Sequence, residues 1–348
     1  MAACERWTCW RCLWPFFANA ETDEAACRVT RYNWPDVIEL GDVRLIDASA
    51  VAALRMKAPH ARWIILTAGS PCQDLSRLNL GRKGLSGERS SLFFEIVRIW
   101  ELLKEGWREA RVIPLVENVA SMHVTAREAM SAALSLQPRF AESAAMTHCR
   151  RPRLYWSDWE LLQGVPCRPS TLGTDVQEVD LPNERGAVER WIKPGWTFPE
   201  RGDLPTLVRC IPRASAPSDP KGLEAASEET CRLWRKWQHC YATYQFGPQY
   251  LLQHPSEERR PPNATERELL MDFAAGHTLP CQRTAARKER PYALEVQRCS
   301  LIGNGFQCGT VAWLLAHWAV AQGYLPAIPS FWANAKPKRS DHIPQLGV

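Results

Sequence analysis

The sequence predicts an α/β fold built on a doubly wound, mostly parallel sheet. Two observations carry this expectation. Short apolar runs alternate with helical patterns of about ten residues, as in βαβ units. Acidic or reactive residues stand where those runs end: Glu21, Asp42, Cys72 and Glu117. Open α/β sheets bind their ligands at that carboxyl edge. A chain of 348 residues suffices for one large domain with an insertion, or for two domains.

Taken in order, residues 15–21 form a short predicted strand. Thr22 or Asp23 caps a helix over 24–33, ended by Pro35. A second strand covers 37–40 and closes at Gly41-Asp42-Val43. Asp47 opens a helix reaching about Lys57. The third strand, 63–67, runs into Gly69-Ser70-Pro71-Cys72-Gln73, and a Gly- and Arg-rich loop follows. Ser90 or Ser91 caps a helix over 92–103. A strand over 112–116 ends in Glu117-Asn118-Val119. A helix over 125–136 and a strand over 139–145 complete the regular part.

After Trp156 the texture changes. Residues 157–230 are rich in Pro, Gly, Ser and charge, and predict an irregular region, partly disordered around 214–221. Residues 231–244 look helical. Thr265-x-x-Glu268 has the form of a capping box for a short helix to 273. Residues 283–290 hold four basic side chains, a solvated face or a phosphate-contacting patch. Leu301-Ile302-Gly303-Asn304-Gly305 predicts a turn, and 310–322 a long helix. The tail from 326 is Pro-rich, with a weak basic targeting signal at Lys336-Pro337-Lys338-Arg339.

Composition narrows the class. With 45% hydrophobic and 23% charged residues, a sizeable core is expected and wholesale disorder is not. A net charge of +5 suits an anionic partner without specifying one. Thirteen Cys, an odd number without framework spacing, argue for reduced thiols over a disulfide scaffold. No apolar run approaches the roughly 18 residues of a membrane span, so no membrane partner is expected. Residues 13–20 faintly mimic a signal peptide, but the apolar part is short and contains Pro15. Cys9-x-x-Cys12 is half a zinc site with no second pair nearby, so no metal is expected.

Cys72 is the candidate nucleophile. A reactive thiol needs its pKa depressed, and Arg77, Arg82, Lys83 and Arg89 lie in the loop that follows it. Gly69 and Ser70 allow close backbone approach. Neither His123 nor His148 is set beside Cys72 with an orienting Asn, so a thiol-protease arrangement is not expected. Glu117, at the end of the next strand, is the natural partner. A thiol and a carboxylate on neighbouring strand ends can attack and orient one small planar substrate.

Gly69-Ser70-Pro71-Cys72-Gln73, Glu117-Asn118-Val119 and Arg151-Pro152-Arg153 occur in the order and spacing of the cytosine-5 DNA methyltransferases, which this chain resembles. Residues 301–305 resemble that family's last motif, and Glu21 with Gly41-Asp42-Val43-Arg44 its cofactor-binding strand ends. Asp74-Leu75-Ser76, Arg82-Lys83-Gly84-Leu85 and Leu92-Phe93-Phe94-Glu95 look closest to the animal de novo subgroup. The resemblance covers roughly residues 16–322. It implies a Rossmann-like, S-adenosylmethionine-dependent methyltransferase: 15–156 plus 300–323 as catalytic domain, 157–299 as target-recognition region and 324–348 as tail. It implies Cys72 attacking carbon 6 of a cytosine flipped out of double-stranded DNA. Glu117 would hold the base's N3 and N4 edge, and Arg151 and Arg153 would steady the base. The loop over 75–89 would close as a lid. Glu21, Asp42 and Val43 would bind the ribose and adenine of the cofactor, and Asn304 and Gly305 its methionine end. It further implies a nuclear location and a homo- or hetero-oligomer. The family's tRNA branch usually carries Cys-Phe-Thr in the recognition region, a triplet this chain lacks.

One departure stands out. The family begins with a strand and a Phe-x-Gly-x-Gly turn, then a helix, before the strand placed here at 15–21. Residues 1–14 supply none of those glycines. Neighbouring strands are then expected to lie unpaired or to pair anew. The alternatives are a fragment of a longer active enzyme, a Trp- and Cys-rich start that substitutes for the strand, or an inactive DNA-binding relative without cofactor binding.

Overall fold

A computed structural model of the chain describes residues 16–76, 79, 82–200, 202–208, 250–282 and 291–329. The Cys9–Cys12 pair, Arg77, the expected helix over 231–244, the basic run over 283–290 and the tail beyond 329 lie outside the described residues.

Helix starts follow local side-chain chemistry. In α1 (Glu24–Asn33), Asp23 accepts from the Ala25 and Ala26 amides at 2.8 and 3.2 Å. In α2 (Ala48–Lys57), Asp47 accepts from Ala50 N at 2.9 Å. Each carboxylate satisfies donors that have no partner within the helix. Helix α3 (Phe93–Gly106) starts differently: neither Ser90 nor Ser91 caps it. Their hydroxyls donate to loop carbonyls instead, Ser90 to Gly84 and Gly87, Ser91 to Glu88. The serines therefore close the loop.

Strands β1 (Ala18–Asn19) and β2 (Ile38–Glu39) form a parallel pair of their own. Among the described residues, the main sheet holds six strands in the order β3-β4-β6-β5-β8-β7, where β3 is Trp63–Gly69, β4 Arg111–Val119, β5 Pro138–Glu142, β6 Pro152–Ser157, β7 Cys167–Ser170 and β8 Gly173–Val179. Its pairings are mixed: β3 with β4 and β5 with β8 are parallel, while β6 runs antiparallel to both β4 and β5, and β7 to β8. Among the described residues, no ladder joins β1–β2 to β3.

Alternation along the central strands separates two cores. Ile113, Leu115 and Tyr155 face one side and pack with Trp313, Leu314 and Trp318 of α7 (Cys308–Ala321). Val112, Val116, Leu154 and Trp156 face the other, against Phe93, Ile96, Ile99, Trp100 and Leu103 of α3. Helix α4 (Val124–Leu134) joins that second side through Ala126, Met130 and Leu134. A sheet covered on both faces is the α/β arrangement the sequence predicts.

Three segments differ from expectation. Residues 167–179 add β7 and β8 to the sheet, where an irregular region was expected. The short helix is α5 (Ala264–Leu270), and its capping box is Asn263 with Glu266, not Thr265 with Glu268. Glu268 is instead fully buried, paired with Arg298 at 2.9 Å and hydrogen-bonded by Thr278. Residues 301–304 are the last turn of α6 (Pro291–Asn304), not a free turn, and Cys299 and Ile302 in that helix are buried.

Candidate active site

The site lies where β3, β4 and β6 meet. Gly69 sits directly opposite Glu117 in the β3–β4 ladder, and Glu117 opposite Tyr155 in β4–β6. Two residues before Tyr155, Arg153 shares its face of the strand. Its Nε reaches Glu117 Oε1 at 2.6 Å, and both side chains are largely buried. Cys72 follows β3 by three residues. The Leu75 and Ser76 amides donate to its carbonyl at 3.0 and 2.8 Å, which turns the chain sharply there.

Asn118 fixes that turn. Its Nδ2 donates to Ser70 Oγ at 2.9 Å and to the Ser70 carbonyl at 3.3 Å, and its own Oδ1 accepts from Val119 N. Asn118 and Ser70 are buried. The strand that presents the carboxylate therefore also holds the segment that presents the thiol. Sequence reasoning named Asn118 within a motif but gave it no task.

The electrostatics correct one expectation. Burial pushes the Cys72 thiol up, opposed by Arg153 and Arg151 and assisted by Glu117. The cations that bear on Cys72 come from the β6 segment, not from the described part of the loop behind it. Arg82 spends its guanidinium on the carbonyls of Ser121 and Leu75. Leu75, the first residue of the expected lid, is buried in the core.

Arg151 also differs from expectation. It is buried, and its Nη2 donates to the Gly305 carbonyl at 2.5 Å and the Gly303 carbonyl at 3.5 Å. It thus ties the end of α6 to the start of β6. Burial, with Arg153 beside it, lowers its pKa to about 10. Its Nε and Nη1 and the Tyr155 hydroxyl are buried without a hydrogen-bond partner among the described residues. Buried polar atoms are usually satisfied, so these orphaned groups beside Cys72 mark a candidate functional site.

The expected cofactor residues lie at the ends of the separate strand pair. Glu21 follows β1, and its Oε1 accepts from the Thr22 and Asp23 amides at 2.7 and 2.8 Å. Its Oε2 has no partner among the described residues and suits a ribose diol. Asp42 follows β2 and caps the turn Val43–Leu45. Both of its oxygens take Arg44, which holds its carboxyl down at about 2. Asn304 is exposed at the end of α6, next to Gly305. This donor set fits an adenosyl group. Arg98 of α3, which the sequence did not single out, binds the Val43 and Ile46 carbonyls at 3.0 and 2.5 Å and Glu95 at 2.7 Å. It anchors the turn after Asp42 to the main body.

A strand-end thiol and an ion-paired carboxylate stand beside each other, and a second pair of carboxylates follows the neighbouring strands β1 and β2. The family model of C-5 cytosine-specific DNA methylases matches residues 14–130, which include Cys72 and Glu117. This stretch is similar to that family. Among solved structures, the chain is similar to the Entamoeba histolytica methyltransferase EhMeth at 10% identity and a TM-score of 0.51, covering 88% of this chain and 90% of that one. It is also similar to the S. pombe Dnmt2 methyltransferase at 13% identity and a TM-score of 0.46, covering 89% and 92%. The first likeness, which covers 88% of this chain, extends the Rossmann-like methyltransferase fold beyond the matched stretch.

Proposed function

We propose that the chain methylates carbon 5 of cytosine in double-stranded DNA, with S-adenosylmethionine as methyl donor. The observation that carries this reading is the Cys72 thiol at the end of β3, facing the buried Glu117–Arg153 pair. Bound S-adenosylmethionine supplies an electrophilic methyl group on its sulfonium. Glu21, Asp42 and Val43 would hold its adenosyl end, and Asn304 and Gly305 its methionine end.

The chain's own residues do the rest. Cys72 Sγ bonds to carbon 6, and the electron pair of the 5,6 double bond moves to carbon 5, which is then nucleophilic. Glu117 accepts from the N4 amino group and from N3 when that nitrogen is protonated, so it favours the N3-protonated ring, and addition of the thiolate then leaves a neutral enamine nucleophilic at carbon 5. Arg153 holds that carboxylate in place. After methylation, carbon 5 loses its proton to a base, the Sγ–carbon 6 bond breaks and the double bond returns. A duplex base reaches such a site only when flipped from the stack, at a cost of a few kcal/mol. A nuclear location follows from this substrate.

The test uses labelled methyl donor with cytosine duplex or tRNA. Transfer to DNA that is lost in Cys72→Ala supports the reading, and transfer to tRNA alone overturns the substrate. A duplex carrying 2-pyrimidinone, which takes a thiolate at carbon 6 without any donor, reports the thiol step by itself. Because burial raises the thiol, thiolate appears only as pH climbs, and adduct formation should speed up from neutral into alkaline pH. DNA binding with neither adduct nor donor binding would instead indicate an inactive binding relative.

A further inference from the structure

Gly69 and Phe306 come from opposite ends of the chain and meet at the site. A methyl group added at Gly69 would lie 2.9 Å from Phe306 Cε1, 3.2 Å from its Cζ and 3.3 Å from Glu117 Oε2. The ring and the catalytic carboxylate thus flank one point above an exposed glycine. Gly69 lies within β3, so it is needed there for close approach and not for a left-handed backbone.

Phe306 is not core packing. It belongs to neither of the two hydrophobic clusters that cover the sheet and is only partly buried. Its backbone is nevertheless held on both sides. Arg151 takes the Gly305 carbonyl at 2.5 Å. Gln307 caps α7 and accepts from Thr310 N, and the Cys308 amide donates to Met271 O at 3.0 Å. An aromatic ring fixed this firmly, outside the core and beside a base-binding carboxylate, is a surface prepared for a ligand.

We propose that Phe306, set against Gly69, is the wall of the Cys72 pocket that positions the accepted base against Glu117, and so determines specificity. This rests on the function proposed above. The ligand class is a flat, neutral heterocycle, since an aromatic surface holds such rings by stacking and shape. Arg151 serves as a positioning residue, acting through the Gly305 carbonyl to set the ring.

The experiment is a size swap read on target duplex and on the 2-pyrimidinone adduct. Phe306→Ala should raise the KM for duplex about tenfold or more, with kcat changed less and calorimetric affinity for S-adenosylmethionine unchanged. Phe306→Leu retains bulk and fold and should fall between. Gly69→Ala should block adduct formation, because its methyl meets the ring, and Gly69→Ala with Phe306→Ala should recover at least part of it. A double variant no better than Gly69→Ala, Phe306 variants with wild-type KM, or a Phe306 effect confined to donor affinity would each overturn the inference while leaving methyl transfer intact. A wild-type chain that forms no adduct with DNA or tRNA would overturn the underlying function and this wall with it.

Discussion

The two halves of the proposed site, one for the base and one for the methyl donor, are built on different principles. The base-facing half is non-local. Cys72, Glu117 and Arg153 come from three strands, and the register of a six-stranded sheet covered on both faces aligns them. The donor-facing half is local. Glu21 and Asp42 follow two-residue strands and bind amides or an arginine within two positions of themselves. The first half therefore inherits the rigidity of the core. The second depends on a few tethers: Arg98 to the Val43 and Ile46 carbonyls, and Arg28 to the Cys281 carbonyl at 2.6 Å. A damaged first half should lose much stability and chemistry together, and a damaged second half chiefly donor affinity.

Glu117→Gln probes that contrast most severely. It leaves the buried Arg153 charge without its counter-ion, and breaking such a pair from one side costs about 3 kcal/mol or more. Loss of the base-binding carboxylate should lower methyl transfer by on the order of 10²-fold or more. Urea unfolding and steady-state transfer measured on one preparation check both. Full stability with lost activity would show that the ion pair contributes to chemistry alone, and the contrast between the halves would weaken.

The same division decides what the sequence revealed. Asp23 and Asp47 announced their helices within a residue, because a cap needs only its next few amides. The strand-end residues were legible because an apolar run ending in Cys or Glu is a local pattern. The Glu117–Arg153 pair depends on an antiparallel ladder that no spacing reveals, and only the resemblance brought its members together. The strand at 167–170 was hidden by Pro169 and by charge on its exposed positions. The helix end at 301–304 was hidden by two glycines that suggest a turn, although Cys299 and Ile302 bury one face of that helix. At 263–268 the capping box forms two residues earlier than the Thr265-x-x-Glu268 pattern predicts. Asn263 with Glu266 prevailed because Glu268 is committed to Arg298 and Thr278 in the core. Phe306 carried no signal at all, since its role depends on a glycine at the far end of the chain.

Arg98→Ala is the intermediate case. Its guanidinium is partly exposed and makes two backbone contacts across to the donor-side turn. Each charge-assisted bond there is weakened by solvent, so stability should fall by about 1 kcal/mol. Donor affinity should fall about tenfold, because the turn after Asp42 loses its anchor. Titration calorimetry with S-adenosylmethionine measures this. The 2-pyrimidinone adduct, formed without donor, should be unchanged. An adduct that fell in parallel would mean that the two halves are coupled through α3.

The smallest effect belongs to Arg44→Ala, and its sign is set by the pair it breaks. Arg44 holds the Asp42 carboxyl at about 2, so the wild-type group stays ionised well below neutral pH. Without Arg44 the carboxyl should return towards the ordinary aspartate range near 4, where it takes up a proton as pH falls. At pH 7 both chains carry the same charge on Asp42, and donor affinity should be nearly equal. Between about pH 5 and 3 the variant alone should lose affinity, because a protonated Asp42 loses the charge and one of the acceptor oxygens that strengthen its bond to an adenine amino group. Carboxyl carbon shifts followed by NMR give the titration directly, and calorimetry over the same range gives its consequence. If the carboxyl moves but affinity does not, Asp42 serves only as the cap of the Val43–Leu45 turn, and the donor half rests on Glu21 and on the backbone that Arg98 holds.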